Sequence, residues 1–169
     1  LTELGIRVYS RYVFEFVHQP AYDSPRDIDI FFCGSRTPRR EAIYQKLQER
    51  YPDKNIVFDF EWKYADQAEL TKVLQRSHTV VNIPYHSHNI LESHRIHKAL
   101  ACGAEVVSLY SGDKNTDDFY EPYVYLVHDL LEHFDWPEMP LHMQQQKRKY
   151  PLLVQALSNY VQHNKYIIE

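Results

Sequence analysis

The sequence predicts an α/β protein with a Rossmann-like parallel sheet of about five strands, flanked by helices. From Asp27 onwards, short apolar runs alternate with longer segments of helical spacing, which is the pattern of βαβ units. Glycine and proline stand at many boundaries between these segments. The composition agrees, since 44% of the 169 residues are hydrophobic and 25% are charged, as in an ordinary globular domain.

The elements follow from apolar spacing and from helix start and stop signals. The first helix begins at Pro38, a residue suited to the first helical position, and ends before Pro52. The next two helices are predicted over Ala68–Arg76 and Ile90–Ala101, and Gly103 closes the latter. The predicted strands are Ile28–Cys33, Asn55–Phe60, Thr79–Pro84, Glu105–Tyr110 and Tyr123–Val127.

We expect residues 1–169 to form one domain, because about 150 residues is a typical domain length. Residues 1–26 are predicted to be a lead-in segment and residues 27–134 the βα core. Residues 135–169 are predicted to be a polar linker followed by a last helix at about 151–164. The chain begins at Leu1, which suggests a domain taken from a longer polypeptide.

Charge and cysteine content exclude several classes of protein. The formal net charge of −4 disfavours a generic binder of nucleic acid or of anionic membranes. No apolar run approaches the roughly 18 residues of a membrane span, and no signal peptide is visible. Cys33 and Cys102 are too few for a disulfide scaffold, so a reduced, cytoplasmic setting is expected.

The loop after the first strand has the composition of an anion site. It contains Gly34, whose small size lets a ligand approach the backbone, and Ser35, which offers a hydroxyl. Arg36, Arg39 and their neighbour Arg40 lie at or near a helix N-terminus, which favours phosphate. The alternative is an ordinary βα loop with solvated arginines, and both interpretations stay open at this point.

The loop after the third strand is the second candidate, because ligands bind at the carboxyl ends of parallel strands. Glu92 and Arg95 share a helix face, so Glu92 suits a ribose diol and Arg95 a phosphate charge. The alternative is a surface ion pair of little energetic value. If the interpretation is right, this loop and Gly34 must open at the same edge of the sheet.

The histidines and Asp117 have weaker signals. His86, His88, His94 and His97 lack the spacing of a metal motif, so we expect one of them to hydrogen-bond to a ligand phosphate or sugar and no protein-bound metal. Asp117 lies in a polar stretch that we interpret as a loop, where it is a catalytic carboxylate or simply part of an exposed turn. The motifs of serine hydrolases, P-loop NTPases and dinucleotide dehydrogenases are lacking.

Residues 27–128 resemble the C-terminal, donor-binding half of GT-B glycosyltransferases, especially the branch related to the spore maturation protein CgeB. The likeness combines four pieces in order: Asp27–Arg40, Val80–Tyr85, Ile90–Arg95 and Ala99–Ser108. Many GT-B enzymes carry a pair of glutamates eight positions apart, whereas Ile90 and Lys98 stand at those positions here.

The resemblance implies a site for a nucleotide-diphospho-sugar that is not permanently bound. By position, Glu92 would hold the ribose hydroxyls, and Arg95 would support the diphosphate. Metal independence is also implied, because GT-B enzymes stabilise the leaving diphosphate with protein cations and helix dipoles. Other implied contacts are Gly34, Ser35 and Arg36 at the diphosphate, with Asn82, His86, His88 and Asn89 lining the cleft.

We therefore expect a domain that takes part in glycosyl transfer to a glycan or protein acceptor. Arg36 and Arg95 would offset charge on the diphosphate, and Asp117 or a histidine of the 86–88 loop is the candidate base. The acceptor site requires a further domain of the same polypeptide or a partner. One alternative is a non-catalytic domain that binds a nucleotide sugar or serves as a scaffold, and another is a structural domain without a ligand.

Overall fold

The sheet consists of five parallel strands in residues 25–85 and 91–133, the part of the chain that the computed structural model describes. The strands are β1 (Ile28–Cys33), β2 (Ile56–Asp59), β3 (Ser77–Asn82), β4 (Glu105–Leu109) and β5 (Tyr125–Val127). Their order in the sheet is β2-β1-β3-β4-β5, and every neighbouring pair is parallel. The predicted fold class is confirmed, and the order is the flavodoxin-like form of a doubly wound sheet.

The helices begin where short polar side chains cap them. Thr37 Oγ1 accepts from the backbone N–H of Arg40 at 3.2 Å, and Pro38 occupies the first helical position as predicted. Asp66 and Asp113 cap the second and fourth helices by accepting backbone N–H groups in their first turns. The helices are α1 (Pro38–Arg50), α2 (Gln67–Arg76), α3 (Ser93–Ala101), α4 (Lys114–Tyr120) and α5 (Leu130–His133).

Two apolar layers cover the sheet, because side chains alternate between its faces along each strand. Phe31 and Val80 lie in the layer under α2, α3 and α4, whereas Phe32 and Val81 lie in the layer under α1 and α5. Strands buried on both faces are near-continuous apolar runs, which is why the sequence revealed them so readily. Consequently α1 and α3, which follow β1 and β3, pack on opposite faces.

The polar stretch predicted as a loop around Asp117 is instead the helix α4, so this prediction was wrong. Asp113 caps the helix, and Tyr120 at its far end is completely buried, so one apolar anchor and one cap suffice for a short helix. The fifth strand begins at Tyr125 because the N–H groups of Tyr123 and Val124 turn back to the carbonyl of Tyr120. The helix α5 was not predicted.

Other boundaries differ by a few residues. β3 begins at Ser77, directly after α2, and ends at Asn82, two residues before Pro84. Gly103 has a φ of 72°, the left-handed conformation expected after the end of α3. Three predicted segments lie outside the described residues: residues 1–24 of the lead-in segment, the polar linker and the helix at about 151–164.

Cys33 and Cys102 are both free thiols, and burial raises the pKa of each to about 11. Their reactivity is therefore low at neutral pH, since the thiolate is the nucleophile. Within residues 25–85 and 91–133, no helix is both long enough and apolar enough to cross a membrane.

Candidate functional site

The crevice between the carboxyl ends of β1 and β3 is the place where this fold accepts a ligand. The two strands are neighbours, and the chain leaves β1 towards one face of the sheet and β3 towards the other. Diverging connections of this kind mark the topological switch point, where doubly wound sheets bind their ligands. The two loops singled out in the sequence follow these two strands.

Gly34 is buried at this switch point, next to the guanidinium groups of Arg40 and Arg95. A Cβ atom at this position would lie 3.0 Å from Nη2 of Arg95 and 3.2 Å from Nη1 of Arg40. Any larger residue would therefore displace the guanidinium groups or the backbone. The loop after β1 and the start of α3 thus meet at one edge of the sheet, as the sequence interpretation required.

Arg40 is buried beneath this edge, with its side chain only 2% exposed. Its guanidinium donates to the carbonyl of Ile83 through Nε at 3.1 Å and Nη2 at 2.6 Å. It also donates to the carbonyl of Ser35 at 2.9 Å and to Oε1 of Glu92 at 3.0 Å. Arg40 therefore ties the two loops together across the switch point.

Arg95 is the more accessible cation, with its side chain 15% exposed. Its Nη1 donates to Oδ1 of Asn82 at 3.0 Å, and Nδ2 of Asn82 donates to Oγ of Ser108 at 3.0 Å. Both partners fix the orientation of the Asn82 amide. Asn82 is completely buried, so it acts on the crevice by holding Arg95 in place.

Glu92 lies between the two arginines. It precedes α3 as its N-cap residue, but its side chain does not cap the backbone N–H groups of that helix. One carboxylate oxygen accepts from Arg40, and the other forms an ion pair with Arg95. Two guanidinium groups thus face one carboxylate, which leaves the cluster one positive charge in excess.

Burial lowers the pKa of both guanidinium groups, and Glu92 opposes that shift. The carbon atoms Cζ of Arg40 and Arg95 lie 4.9 and 5.0 Å from the ring centroid of Phe32, within range of a cation–π contact. Cations that have lost hydration are strong partners for an anion, because the water they would otherwise bind is already excluded. The crevice is therefore suited to a phosphate.

Ser35 and two other predicted residues in this loop do not point at the cluster. Ser35 contributes its carbonyl to Arg40. Arg36 is half-exposed, pairs with Glu41 at 2.6 Å and lies over the ring of Phe60. Arg39 is exposed and lines a separate cavity between α1 and α5.

Asp117 lies in α4 and is held by Ser111 of the preceding connection. Its carboxylate accepts from the backbone N–H of Ser111 at 3.2 Å and from Oγ of that residue at 2.8 Å. It is 5% exposed, so its evident role is to hold the connection between β4 and α4. These contacts give no support to a role as a general base.

The histidines divide into three groups. His97 is buried and its ring nitrogen lies 2.9 Å from the hydroxyl of Tyr120, whereas His94 is exposed. His86 and His88, with Asn89, lie outside the described residues. In the part of the chain that the structure describes, no three His, Cys, Asp or Glu side chains form a group that could hold a metal ion.

Arg40 is the main site residue that the sequence interpretation missed. That interpretation named Arg40 only as a neighbour of the other arginines and gave it no role of its own. The available signal was helical phase, because Arg40 precedes the buried Leu47 by two turns and shares its face. When an arginine lies on the same face of a helix as the apolar residues, its side chain must be buried with them or turn away from the core. Arg36 precedes the helix, and Arg39 is exposed at its start.

The fold and this cluster define a doubly wound α/β domain with a cationic crevice at its topological switch point. Neither the comparison with models of protein families nor the comparison with curated proteins finds a match to this chain. The likeness to the GT-B donor-binding half therefore stays a prediction.

Proposed function

We propose that this chain is the donor-binding domain of a glycosyltransferase and binds a nucleotide-diphospho-sugar at the carboxyl edge of β1 and β3. The observation that carries the proposal is the convergence of Arg40 and Arg95 beside Gly34 at the switch point. The sequence resemblance supports the same location, because Gly34, Glu92 and Arg95 belong to its motifs.

In this proposal the diphosphate contacts Arg95, the more exposed of the two arginines beside Gly34. Arg40 is too deeply buried for direct contact, so it positions Glu92 and the loop carbonyls. Each carboxylate oxygen of Glu92 accepts from one arginine, and the remaining lone pairs of both oxygens are available to ribose hydroxyls.

The transfer breaks the bond between the anomeric carbon of the sugar and the oxygen of the diphosphate. The acceptor hydroxyl oxygen bonds to that carbon and gives up its proton to a base. Negative charge grows on the departing diphosphate, and cations held in place before the reaction stabilise it most effectively. Arg95 would perform this task. We assign the base and the acceptor site to a further domain or partner, because Asp117 is held by Ser111.

The second candidate is a binding domain without catalytic activity, and the engagement of Asp117 favours it. The two candidates differ in donor hydrolysis. A transferase site slowly releases free sugar from its donor when no acceptor is present, whereas a binding domain releases none. If Arg95→Gln no longer releases free sugar from the donor, the hydrolysis takes place in this crevice.

The first experiment measures the melting temperature with UDP, GDP, ADP and dTDP, each beside its nucleoside. A diphosphate at about 100 times its Kd stabilises the native state by about 2.7 kcal/mol, and the melting temperature rises by about 5–10 °C. Arg95→Gln is expected to abolish most of the rise, and the exposed control Arg39→Gln is expected to keep it. If none of the diphosphates changes the melting temperature, the proposal is incorrect.

A further inference from the structure

A cavity of about 360 Å³ lies beside the crevice, between α2, α3 and the connection from β2 to α2. Its inner wall is apolar, with Phe31, Leu70, Leu74 and Val80 among the lining residues. This size lies at the lower end of the range for small-molecule pockets, which is about 300–1,000 Å³. The cavity is therefore large enough for one planar group.

Trp62 stands at the rim of this cavity in an unfavourable conformation. Its φ is 58°, in the left-handed region that glycine and asparagine tolerate and that a bulky side chain strains. Trp62 is 52% exposed, so about half of its surface is not used in the core. The turn itself requires only the backbone, since the carbonyl of Trp62 accepts from the N–H of Ala65 at 3.1 Å.

Arg95 connects this cavity with the phosphate crevice, because its side chain lines the cavity and also lies beside Gly34. A molecule that places a ring in the cavity therefore places its neighbouring groups at Arg95. The polar part of the wall includes Gln67, whose Oε1 accepts from Lys98 at 2.8 Å. A carboxamide also has N–H donors, which the carbonyl groups of a base accept.

We propose that the cavity is the subsite for the nucleobase, which stacks on the indole of Trp62 while the attached diphosphate lies against Arg95. The inference rests on the proposed function, and it adds which side of the crevice the nucleoside occupies. An exposed aromatic ring is suited to this task, because stacking is favourable with any base. Stacking on a base accounts for a strained, exposed tryptophan at position 62, which the fold itself does not require.

The test uses fluorescence of Trp62. The chain has two tryptophans, so Trp136→Phe leaves Trp62 as the sole indole. Titrations compare the diphosphate that raises the melting temperature, its nucleoside, and pyrophosphate. The diphosphate and the nucleoside are expected to change the emission of Trp62, whereas pyrophosphate is not.

Removing the ring separates binding from folding. Trp62→Asn suits the left-handed backbone, so we expect an unchanged or higher melting temperature of the free protein. Its affinity for the nucleoside diphosphate is expected to fall about tenfold or more, with the affinity for pyrophosphate unchanged. Trp62→Phe should retain most of the affinity. The control is Tyr110→Ala, which removes another exposed ring that stacks on His128.

The outcomes distinguish the two proposals. If a diphosphate raises the melting temperature but Trp62→Asn binds it as tightly as the parent, the base lies elsewhere and only the subsite is overturned. If no nucleotide affects either the melting temperature or the emission of Trp62, the proposed function and the subsite are both overturned. Equal losses in Trp62→Asn and Tyr110→Ala would also contradict the subsite.

Discussion

Arg40 carries a positive charge into the interior, where the loss of hydration must be offset by hydrogen bonds. The carbonyls of Ile83 and Ser35 and the carboxylate of Glu92 provide them. The arrangement links a helix residue to a strand end that is 43 positions away in the chain. A buried arginine with this set of partners holds the crevice open in one geometry, which a binding site requires.

Arg40→Ala is expected to reduce the free energy of unfolding by about 3 kcal/mol or more, because it leaves Glu92 and two carbonyls without their buried donor. The matched control is Arg39→Ala, which removes the neighbouring exposed arginine and should change stability by less than about 0.5 kcal/mol. Urea denaturation at pH 7 measures both values. Equal losses in the two variants would contradict the structural role of Arg40.

At the scale of elements, α3 is the helix on which the site depends. It supplies Arg95 to the crevice, Glu92 precedes it, and it buries Ile96, Ala99 and Leu100 in the core. Its middle is joined to α4 by the contact between His97 and Tyr120 at 2.9 Å. Packing on α4 and the sheet therefore fixes the register of α3, and hence the position of Arg95.

The His97 contact makes this packing sensitive to pH. Burial lowers the pKa of His97 to about 4, whereas an unfolded histidine titrates near 6.5. The unfolded state therefore binds this proton first as the pH falls from about 6.5 to 4, and stability decreases across that window. The contribution is complete above pH 6.5 and amounts to at most about 3 kcal/mol.

His97→Gln removes the titrating group, so we expect a smaller loss of stability between pH 6.5 and 4 than in the parent protein. The variant should also be less stable at pH 7, because the imidazole fills its site in the core. Urea denaturation at half-unit pH steps measures the slope. His94→Gln, at an exposed position, is the control and should keep most of the parent slope. Identical slopes in the parent and His97→Gln would contradict the assignment.

At the scale of the whole molecule, the strand order decides where a ligand can bind. The divergent connections after β1 and β3 lie at the carboxyl edge of the sheet, where doubly wound folds bind ligands. At the amino edge, the backbone N–H and the side-chain amide of Asn55 donate to Asp29 and Asp27, which links the starts of β1 and β2. A ligand should thus affect one edge of the sheet and not the other.

Hydrogen exchange tests this asymmetry. A bound nucleoside diphosphate is expected to slow amide exchange in residues 34–37 and 91–95, because ligand binding suppresses local opening of the segments it contacts. Residues 53–56 at the amino edge serve as the internal reference and should exchange at an unchanged rate. Protection confined to the amino edge would place the ligand outside the crevice.

Local signals in the sequence determined the fold class and most element positions. Buried parallel strands are continuous apolar runs, and caps such as Thr37 and Gly103 act on residues a few positions away, so neighbours along the chain contain the information. Glu92 and Arg95 are likewise one helical turn apart. The helix α4 was not predicted, because its one fully buried apolar residue, Tyr120, gives too short an apolar pattern.

The tertiary structure alone decided how the site is assembled. Arg40 and Glu92 are 52 positions apart, and Asn82 and Ser108 are 26 apart, so only the crossovers and the strand order bring each pair within hydrogen-bonding distance. The position of Arg95 between the crevice and the cavity under Trp62 depends on how α3 packs. Helical and strand periodicity describes one element at a time, whereas this site is made from the contacts between several.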